Sequence, residues 1–384
     1  MNAMSRQRSG MALPMVLGAI VIVGTLIAGV MYVATQDYRV AANTLNETRA
    51  AAVADMGLNR VTTDWDLALN TSFKTGDTLR KTYTDPTGAS ASVFLTRLNG
   101  PFIWAESEAQ TRGNSLQYGA RRRYGALLRL DSPDIPFMAA LTGRGKVKVG
   151  GSALVDGNDH DLGSAYKCPP KGANLAGVAM SDTTSGLSLP GCDVAKSCIN
   201  GTPKMLQTLA AADTATYFSY GNSSYAQLAQ AANKVIPVGT QLASALAPVV
   251  INGVCQKDVM TNWGDAQRLT PAGACESYFP VVHALGDVKV TGGYGQGILL
   301  VDGDLEMSGQ FYWLGAIIVR GTVKSTGTGA HIWGGVMAAN VDLDGDQTVL
   351  GNSFIYYSSC ALWNVMYAAA FPAMAKDRAW VNLY

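Results

Sequence analysis

The stretch from Gly297 to Gly351 reads GILLVDGDLEMSGQFYWLGAIIVRGTVKSTGTGAHIWGGVMAANVDLDGDQTVLG, and it decides the fold of the larger part of the chain. Gly297, Gly315, Gly334 and Gly351 stand 18, 19 and 17 positions apart, and short apolar runs follow the first three. This period fits one coil of a parallel β-solenoid, in which three short strands return the chain about 4.8 Å above its start. One coil cannot bury its own apolar side, so we expect stacked coils over residues 281–360.

An earlier fragment has the same pattern. GKVKVGGSALVDGND (145–159) contains ALVDG, which nearly repeats LLVDG at residues 299–303, so the first solenoid strands are predicted over residues 137–159. Residues 160–280 break the period and contain five of the six cysteines. We interpret them as a disulfide-rich insertion between coils. A separate domain is the alternative, which is disfavoured because the strand pattern resumes on the far side.

The amino-terminal end has another pattern. Residues 9–36 carry no charged side chain, and MALPMVLGAIVIVGTLIAGVMYVA (11–34) is long enough for a helix to cross the hydrocarbon core of a bilayer. A secretory signal peptide, the rival interpretation, has a shorter apolar region that ends in a small-residue cleavage site. Here proline-free, alanine-rich sequence follows from Asp37. We therefore predict one unbroken helix that spans the membrane over residues 11–36 and continues as an aqueous stalk.

Short apolar runs follow the stalk. ASVFLTRL (91–98) and GALLRL (125–130) alternate with the turn signals TDPTG (84–88) and NGP (99–101). Such runs, bounded by Gly, Pro, Asn and Asp, predict antiparallel strands joined by tight turns. The stalk and this small sheet are expected over residues 37–136.

The leader MNAMSRQRSG, followed by the apolar helix, resembles the amino terminus of type IV prepilins and more closely that of PilX-type pilus assembly proteins. The resemblance covers about the first 65 residues and includes RRRYGALLRL (121–130). It implies that prepilin peptidase cuts between Gly10 and Met11 and that the freed helix packs against other pilin subunits in a filament. Most pilins have a glutamate five residues after the cut, where this chain has Met15. A place at the filament tip and a divergent family are both open explanations for this departure.

The predicted fold class is α+β: an amino-terminal transmembrane pilin-like helix with a small antiparallel sheet, followed by a parallel β-solenoid (β-helix) with a cysteine-rich insertion. The expected function is that of a minor pilin or pilus assembly protein, a non-enzymatic structural component of a pilus-like filament. The expected boundaries are 1–10 for the leader, 11–36 for the transmembrane helix and 37–136 for the stalk with the small sheet. They continue with 137–159 for the first solenoid strands, 160–280 for the disulfide-rich insertion, 281–360 for the β-solenoid and 361–384 for a carboxy-terminal cap on the last coil. A second membrane span is the alternative for the last segment, but Pro372 interrupts its apolar run.

The predicted location follows from the charges that flank the helix. Arg6 and Arg8 precede it, so the positive-inside rule leaves the leader in the cytoplasm and the rest of a single-pass inner-membrane protein outside. After assembly the chain would belong to an extracellular pilus. Net charge is only +1, and the Arg121 to Arg123 cluster is interpreted as a solvated strand end rather than a lipid or nucleic-acid contact, so no nucleic-acid partner is predicted.

All six cysteines lie on the predicted exported side, where disulfides form. The pairing stays open, although Cys192 with Cys198 and Cys255 with Cys275 would close the shortest loops. No CxxC pair occurs and the histidines are scattered, so neither a metal site nor a cofactor is predicted. The disulfide candidates are Cys168, Cys192, Cys198, Cys255, Cys275 and Cys360.

The second functional hypothesis is a membrane-anchored β-helix enzyme that acts on cell-surface polysaccharide. Glycoside cleavage needs two carboxylates at a defined separation, and acidic residues recur at alternate positions near the solenoid turns. We favour solvated outer faces for these groups. The set in DGNDHD is also a weak calcium candidate, which lacks the glycine and closing glutamate of an EF-hand. The acidic sets are Asp156, Asp159 and Asp161; Asp302, Asp304 and Glu306; and Asp342, Asp344 and Asp346.

Overall fold

The computed structural model describes residues 12–111, 119–164, 166, 168–184, 186–192, 198–243, 246–270, 273–342, 345–375 and 379–383. The predicted leader, with Gly10 and Met11, and Asp344 lie outside these residues. The chain has a long amino-terminal helix, an antiparallel sheet and a parallel β-solenoid, so the predicted fold class is confirmed.

Helix α1 (Ala12–Thr63) is 52 residues long and continues without a break from the apolar run into the polar stalk. Its first half is exposed, whereas its second half buries positions three or four residues apart, which lie on one face of a helix. Gly57 lies on that face. A Cβ there would come within 2.4 Å of Ser107 Oγ and 2.8 Å of Ala91 Cβ, so glycine allows the helix to approach the sheet closely. The buried residues of the second half include Asn46, Ala50, Val53, Ala54, Leu58 and Val61.

The antiparallel sheet covers this buried helix face. Buried and exposed residues alternate along its second and third strands, because successive side chains of a strand point to opposite faces. A short helix, α2 (Leu69–Ser72), follows α1. The strands lie in the order β1 (Thr78–Thr84), β2 (Ser90–Arg97), β3 (Phe102–Gln110) and β4 (Arg121–Asp131).

The arginine cluster at the start of β4 forms ion pairs. Arg121 lies 2.6 Å from Glu108, Arg123 pairs with Glu106 on β3, and Arg122 pairs with Glu47 on α1. The cluster therefore joins β3, β4 and α1.

The β-solenoid begins after residue 136. Its coils contain three strand positions each, and equivalent strands of neighbouring coils pair in parallel. Trp263 is fully buried, and its backbone carbonyl accepts a hydrogen bond from Gln296 N (2.8 Å), so this residue extends the solenoid wall at one end. The solenoid strands are β5 (Ala139–Gly143), β6 (Val147–Val149), β7 (Leu154–Asp156), β8 (Ala176–Met180), β9 (Leu187–Ser188), β10 (Ile199–Asn200), β11 (Met205–Gln207), β14 (Lys234–Ile236), β15 (Gln241–Ala243), β18 (Val281–Ala284), β19 (Val288–Val301), β20 (Leu305–Val319), β21 (Val323–Ser325), β22 (Ala330–Ala338), β23 (Gln347–Val349) and β24 (Phe354–Tyr357).

Two small hairpins and three short helical segments connect these strands. The hairpins are β12 (Ser219–Tyr220) with β13 (Ser223–Ser224), and β16 (Val250–Ile251) with β17 (Val254–Cys255). The helical segments are a 3₁₀ turn (Leu209–Ala211), α3 (Ala215–Phe218) and α4 (Tyr225–Gln230).

The three faces of the solenoid differ in chemistry. The covered face, with β18 and residues 298–301 and 316–319, is buried on both sides, because α4 and the later helix 359–368 pack against it. On the charged face, which includes β6, β21 and β23, valines together with Ser325 and Gln347 point inward, and lysines or other polar residues point outward. On the aromatic face the outward positions are mostly aromatic. The aromatic face consists of residues 293–297, 311–315, 330–334, 354–357, 154–156 and 199–200.

The coils do not stack in the order of the sequence. Along the covered face the strands lie in the order β14, β18, β19, β20, β22, β5, β8 and β11. The chain thus enters the stack in the middle, runs to one end, crosses to the other end and returns to its entry point. The predicted strands near Val147 and Val155 do stack beside the later coils, because β6 pairs with β23 and β7 with β24.

Residues 160–280 are only partly an insertion, which corrects the prediction. Strands β8, β9, β10, β11, β14 and β15 lie in this stretch, and each pairs in parallel with a solenoid strand. These strands are two to five residues long. Long connecting segments separate these strands, so the strands do not recur at the 17- to 19-residue period of the later coils.

Residues 208–233 connect the two ends of the stack, and we call them the crossover segment. Its buried tyrosines have satisfied hydroxyls: Tyr217 donates to Ala211 O (2.8 Å) and Tyr220 to Tyr217 O (2.6 Å). Tyr225 donates to Asp302 Oδ1 at 2.9 Å, and His283 Nε2 lies 2.9 Å from Asp302 Oδ2. The Tyr225–Asp302 bond ties the segment to the solenoid, and the other two tyrosine bonds brace the segment internally.

The carboxy-terminal residues do not cap the last coil, which corrects the predicted cap over 361–384. Helix α5 (Ser359–Ala368) packs on the covered face, and β25 (Phe371–Met374) and β26 (Trp380–Asn382) pair antiparallel with β4. The free edge of β4 offers unpaired backbone groups, and Pro372 is tolerated on an edge strand. The solenoid is therefore inserted between β4 and β25 of one antiparallel sheet.

Candidate functional site: an apolar helix and an aromatic solenoid face

The first half of α1 is an exposed apolar surface. Its large side chains are all more than half exposed, from Val23 at 53% to Leu13 at 72%. Met15 is 70% exposed. Within the described part of the chain, this is the one helix long and apolar enough to cross a membrane. The exposed large side chains are Leu13, Met15, Val16, Leu17, Ile20, Val21, Ile22, Val23, Leu26, Ile27, Val30, Met31, Tyr32 and Val33.

The threonine hydroxyls of this half are satisfied within the helix. Thr25 donates its hydroxyl to Ile22 O at 2.8 Å, and Thr35 donates to Met31 O at 2.7 Å. A helix also pairs most of its own backbone groups, so the segment can lie in hydrocarbon or against other helices with few polar groups left unpaired.

The second half of α1 is anchored to the rest of the protein. It packs on β2, β3 and β4, and the Glu47 to Arg122 ion pair lies near the point where it leaves the sheet. The exposed residues up to about position 41 form roughly eight turns, which project about 45 Å beyond the sheet. The arrangement joins a long apolar rod to a folded head.

The structure pairs all six cysteines in three disulfides, Cys168–Cys360, Cys192–Cys198 and Cys255–Cys275. Cys255–Cys275 links the β16–β17 hairpin to the segment that leads into β18. Cys168–Cys360 links the excursion after β7 to α5, with a Cα–Cα distance of 5.0 Å. It thus joins the first coil in the sequence to the end of the last one.

The calcium candidate residues do not converge. Asp156 accepts hydrogen bonds from Asn158 (2.9 and 2.7 Å) and lies 3.2 Å from His160 Nε2. Asp159 accepts bonds from Gly172 N (2.7 Å) and from Ser359. Asp161 is exposed and accepts one from Gly163 N (3.0 Å). Among the described residues no group of three or more His, Cys, Asp or Glu side chains could hold a metal ion.

The second acidic set serves the connections between coils. Asp302 accepts from Tyr225 on the crossover segment, and Asp304 accepts from Thr322 N on the next coil (2.6 Å). Glu306 accepts from Lys289 at 2.9 Å, and this bond lowers the pKa of its carboxyl. Asp302 and Asp304 lie in the turn before β20 and only Glu306 lies on the strand, so the three groups do not share one face of a strand.

The aromatic face carries two sets of roughly parallel rings. The first set contains Tyr294, Tyr312 and Trp333, with centroids 5.5 Å and 6.3 Å apart and interplanar angles of 18° and 11°. The second set is packed more tightly, with centroid distances of 3.9, 4.6 and 4.3 Å. The second set contains His331, Phe354, Tyr356 and His160.

The two ring sets meet nearly at a right angle. Tyr312 lies at 89° to His331, and Trp333 lies at 84° to Phe354 and 76° to Tyr356. Register explains the contact, because Tyr312 pairs with His331 and Trp333 with Tyr356 on neighbouring coils. Burial lowers the pKa of His331, so its imidazole is neutral at pH 7. Sequence reasoning missed this surface, although the aromatic residues recur once per coil.

Comparisons with known proteins add little. No protein-family model matches the chain, and no curated protein matches it. Among solved structures, the chain is similar to the competence-associated pilin ComZ from Thermus thermophilus, at 12% identity and a TM-score of 0.20. The alignment covers 88% of this chain and 96% of that one. At this TM-score the similarity carries no argument, so the functional inference rests on the geometry of the chain itself.

Proposed function

We propose that this chain is a minor pilin, a non-catalytic subunit of a type IV pilus-like filament. The observation that carries the proposal is the division of α1, whose first half is an exposed apolar rod and whose second half packs on an antiparallel sheet. Before assembly, this apolar half would anchor the subunit in the membrane. In the filament, the same half would pack against the helices of other pilin subunits and hold the subunit in place.

Processing by prepilin peptidase is part of the proposal. The leader contains Arg6 and Arg8 and ends at Gly10, so cleavage would free Met11 as the new amino terminus. The enzyme would meet the leader on the cytoplasmic side of the inner membrane, with the head outside. Assembly then moves the helix from the membrane into an extracellular pilus.

A position at the filament tip is the finer part of the proposal. In the pilins that this amino terminus resembles, a glutamate pairs with the amine of a neighbouring subunit, and an unpaired charge is costly in an apolar bundle. Met15 offers no carboxylate for that pairing. The solenoid also adds more than 200 residues between β4 and β25, a head that is hard to repeat at every step of a thin fibre but easily carried at its end.

The role is proposed as structural because the carboxylates of the first two candidate acidic sets have structural partners. Asp159 and Asp302 each accept hydrogen bonds that join distant parts of the chain, and Glu306 is paired with Lys289. A glycosidase needs two carboxylates that face a substrate cleft, and these groups are bonded to the protein instead. The enzyme hypothesis therefore receives no support from their geometry.

The test is incorporation of the full chain into filaments. Val21→Arg places a charge in the exposed apolar half and should prevent recovery of the protein in sheared pili while leaving its head folded. Asn59→Arg on the exposed side of the second half is the matched control and should be incorporated normally. Normal incorporation of Val21→Arg would contradict the assembly role of the helix.

Two further measurements test the finer claims. Mass spectrometry of the native protein should find a mature chain that begins at Met11, and a retained leader would contradict processing. Immunogold labelling should find rare labels at fibre ends. Regular labelling along the shaft would contradict the tip position and leave the pilin proposal intact.

A further inference from the structure

The aromatic face differs from the charged face in its lack of charge. Its six strand segments contain no lysine or arginine, and Asp156 at the far end is the only acidic residue on them. On the charged face, the equivalent outward positions hold Lys148, Lys289, Glu306 and Lys324. Both faces belong to the same coils, so the difference lies in the side chains and not in the backbone.

The rings of the aromatic face remain accessible. Tyr294, Tyr312, Trp333, Phe354 and Tyr356 are each half-buried rather than fully buried. The centroid distances of 5.5 and 6.3 Å in the first ring set exceed those of a face-to-face stack, so these rings are offset and leave part of their faces uncovered. Because the two sets meet nearly at a right angle, the surface presents both ring faces and ring edges.

Hydrogen-bonding groups border these rings. Within the described part of the chain, the hydroxyls of Tyr294, Tyr312 and Tyr356 bond to no other residue, so they are free to donate and accept. A ligand for this surface needs a C–H-rich face that packs on rings, hydroxyls at its edge, and little net charge.

We propose that the aromatic face binds a polysaccharide of neutral sugars, which lies across successive coils along the solenoid axis. The C–H faces of pyranose rings carry partial positive charge, which complements the negative face of an aromatic ring. Their hydroxyls match the tyrosine hydroxyls. Rings recur on successive coils, with centroids 5.5 and 6.3 Å apart in the first ring set, so a polymer of repeating units can contact several coils at once.

The same chemistry disfavours single-stranded nucleic acid, whose bases also stack on aromatic rings. Nucleic-acid channels combine these rings with cationic side chains that track the phosphates. The aromatic face has no such cation on its strands, and the only charge there, Asp156, is negative. Anionic polysaccharides are disfavoured for the same reason.

The experiment uses the full chain purified in detergent, so it does not depend on pilus assembly or on the proposed function. Isothermal titration calorimetry and tryptophan fluorescence would measure the binding of three neutral hexaoses, namely cellohexaose, chitohexaose and maltohexaose. Polygalacturonate and a thymidine oligonucleotide serve as anionic probes. We expect at least one neutral hexaose to bind and both anionic probes to bind more weakly.

Variants locate the site. Tyr312→Leu and Trp333→Leu should each weaken binding about tenfold or more, as expected for loss of a stacking ring. Tyr312→Phe keeps the ring and should retain most of the affinity, which separates stacking from a folding defect. Lys324→Ala on the charged face is the matched control and should bind normally.

Three outcomes would overturn the proposal. The first is that no neutral hexaose binds up to millimolar concentration, and the second is that an anionic probe binds more tightly than any neutral hexaose. The third is that Tyr312→Leu and Trp333→Leu bind neutral sugars as tightly as the unmodified protein does and unfold at the same denaturant concentration.

Discussion

Asp159 accepts hydrogen bonds from both the backbone N–H (2.7 Å) and the hydroxyl (2.6 Å) of Ser359, a residue 200 positions later in the chain. The contact lies where the chain enters the solenoid and leaves it again, because β7 pairs with β24 just before these two residues. Ser359 is also the first residue of α5. One carboxylate thus joins the first coil of the sequence, the last coil and the helix that leads back to the antiparallel sheet.

Replacement of this carboxylate should destabilise the closed stack. Asp159 is 5% exposed and also accepts from Gly172 N, so Asp159→Ala leaves several buried donors without an acceptor. We expect the free energy of unfolding to fall by about 3 kcal/mol, measured by urea denaturation. Asp161→Ala, at an exposed position close by, should change it by less than about 0.5 kcal/mol. Equal effects of the two substitutions would contradict the role assigned to Asp159.

The long-range disulfide should stabilise the protein more than the short one. Cys168 and Cys360 are separated by 192 positions, whereas Cys192 and Cys198 are separated by 6. A cross-link restricts the unfolded chain more when it closes a longer loop, which predicts a loss of about 5 kcal/mol for Cys168→Ser with Cys360→Ser and about 2 kcal/mol for the Cys192 and Cys198 pair. Denaturant unfolding of the two double variants measures the difference. The reverse ranking would show that unfolded-state entropy does not dominate here.

Gly57 should not tolerate a larger side chain. Its missing Cβ leaves room for Ser107 and Ala91, so Gly57→Val forces α1 away from the sheet and should lower the free energy of unfolding by about 1–3 kcal/mol. Ala52→Val, on the exposed side of the same helix, tests the helix propensity of valine alone and should cost about 0.5 kcal/mol. If both variants unfold at the same denaturant concentration, the close helix–sheet contact is not required.

Stability should decrease in mild acid because of His331. Burial lowers its pKa in the folded state below the ordinary 6.5, so the unfolded chain binds a proton that the folded chain does not. The free energy of unfolding therefore falls as pH drops from about 7 towards the folded-state pKa. His331→Phe keeps a ring in the stack with Phe354 and should flatten this part of the pH profile. An unchanged slope in the variant would mean that other groups cause the acid sensitivity.

The sequence determined those parts of the protein that depend on neighbouring residues. The uncharged run of residues 9–36 is enough to predict an apolar helix, because helical bonds and bilayer length are local properties. The glycine steps from Gly297 to Gly351 likewise predict coils, and the structure pairs Gly297 with Gly315 and Gly315 with Gly334. Consecutive coils of regular length place equivalent residues in register, so their period is visible in the sequence.

Only the tertiary structure decided which distant segments meet. Val155 pairs with Ile355, Cys168 with Cys360, and Pro372 with Leu130, and none of these partners can be inferred from the residues beside it. A β-strand edge accepts any strand of suitable pattern, so the choice depends on which edges remain open once the other coils and the crossover segment are in place. The aromatic face arises in the same way. Its rings recur at coil intervals in the sequence, but their right-angled arrangement exists only when the coils stack and bring Trp333 beside Phe354.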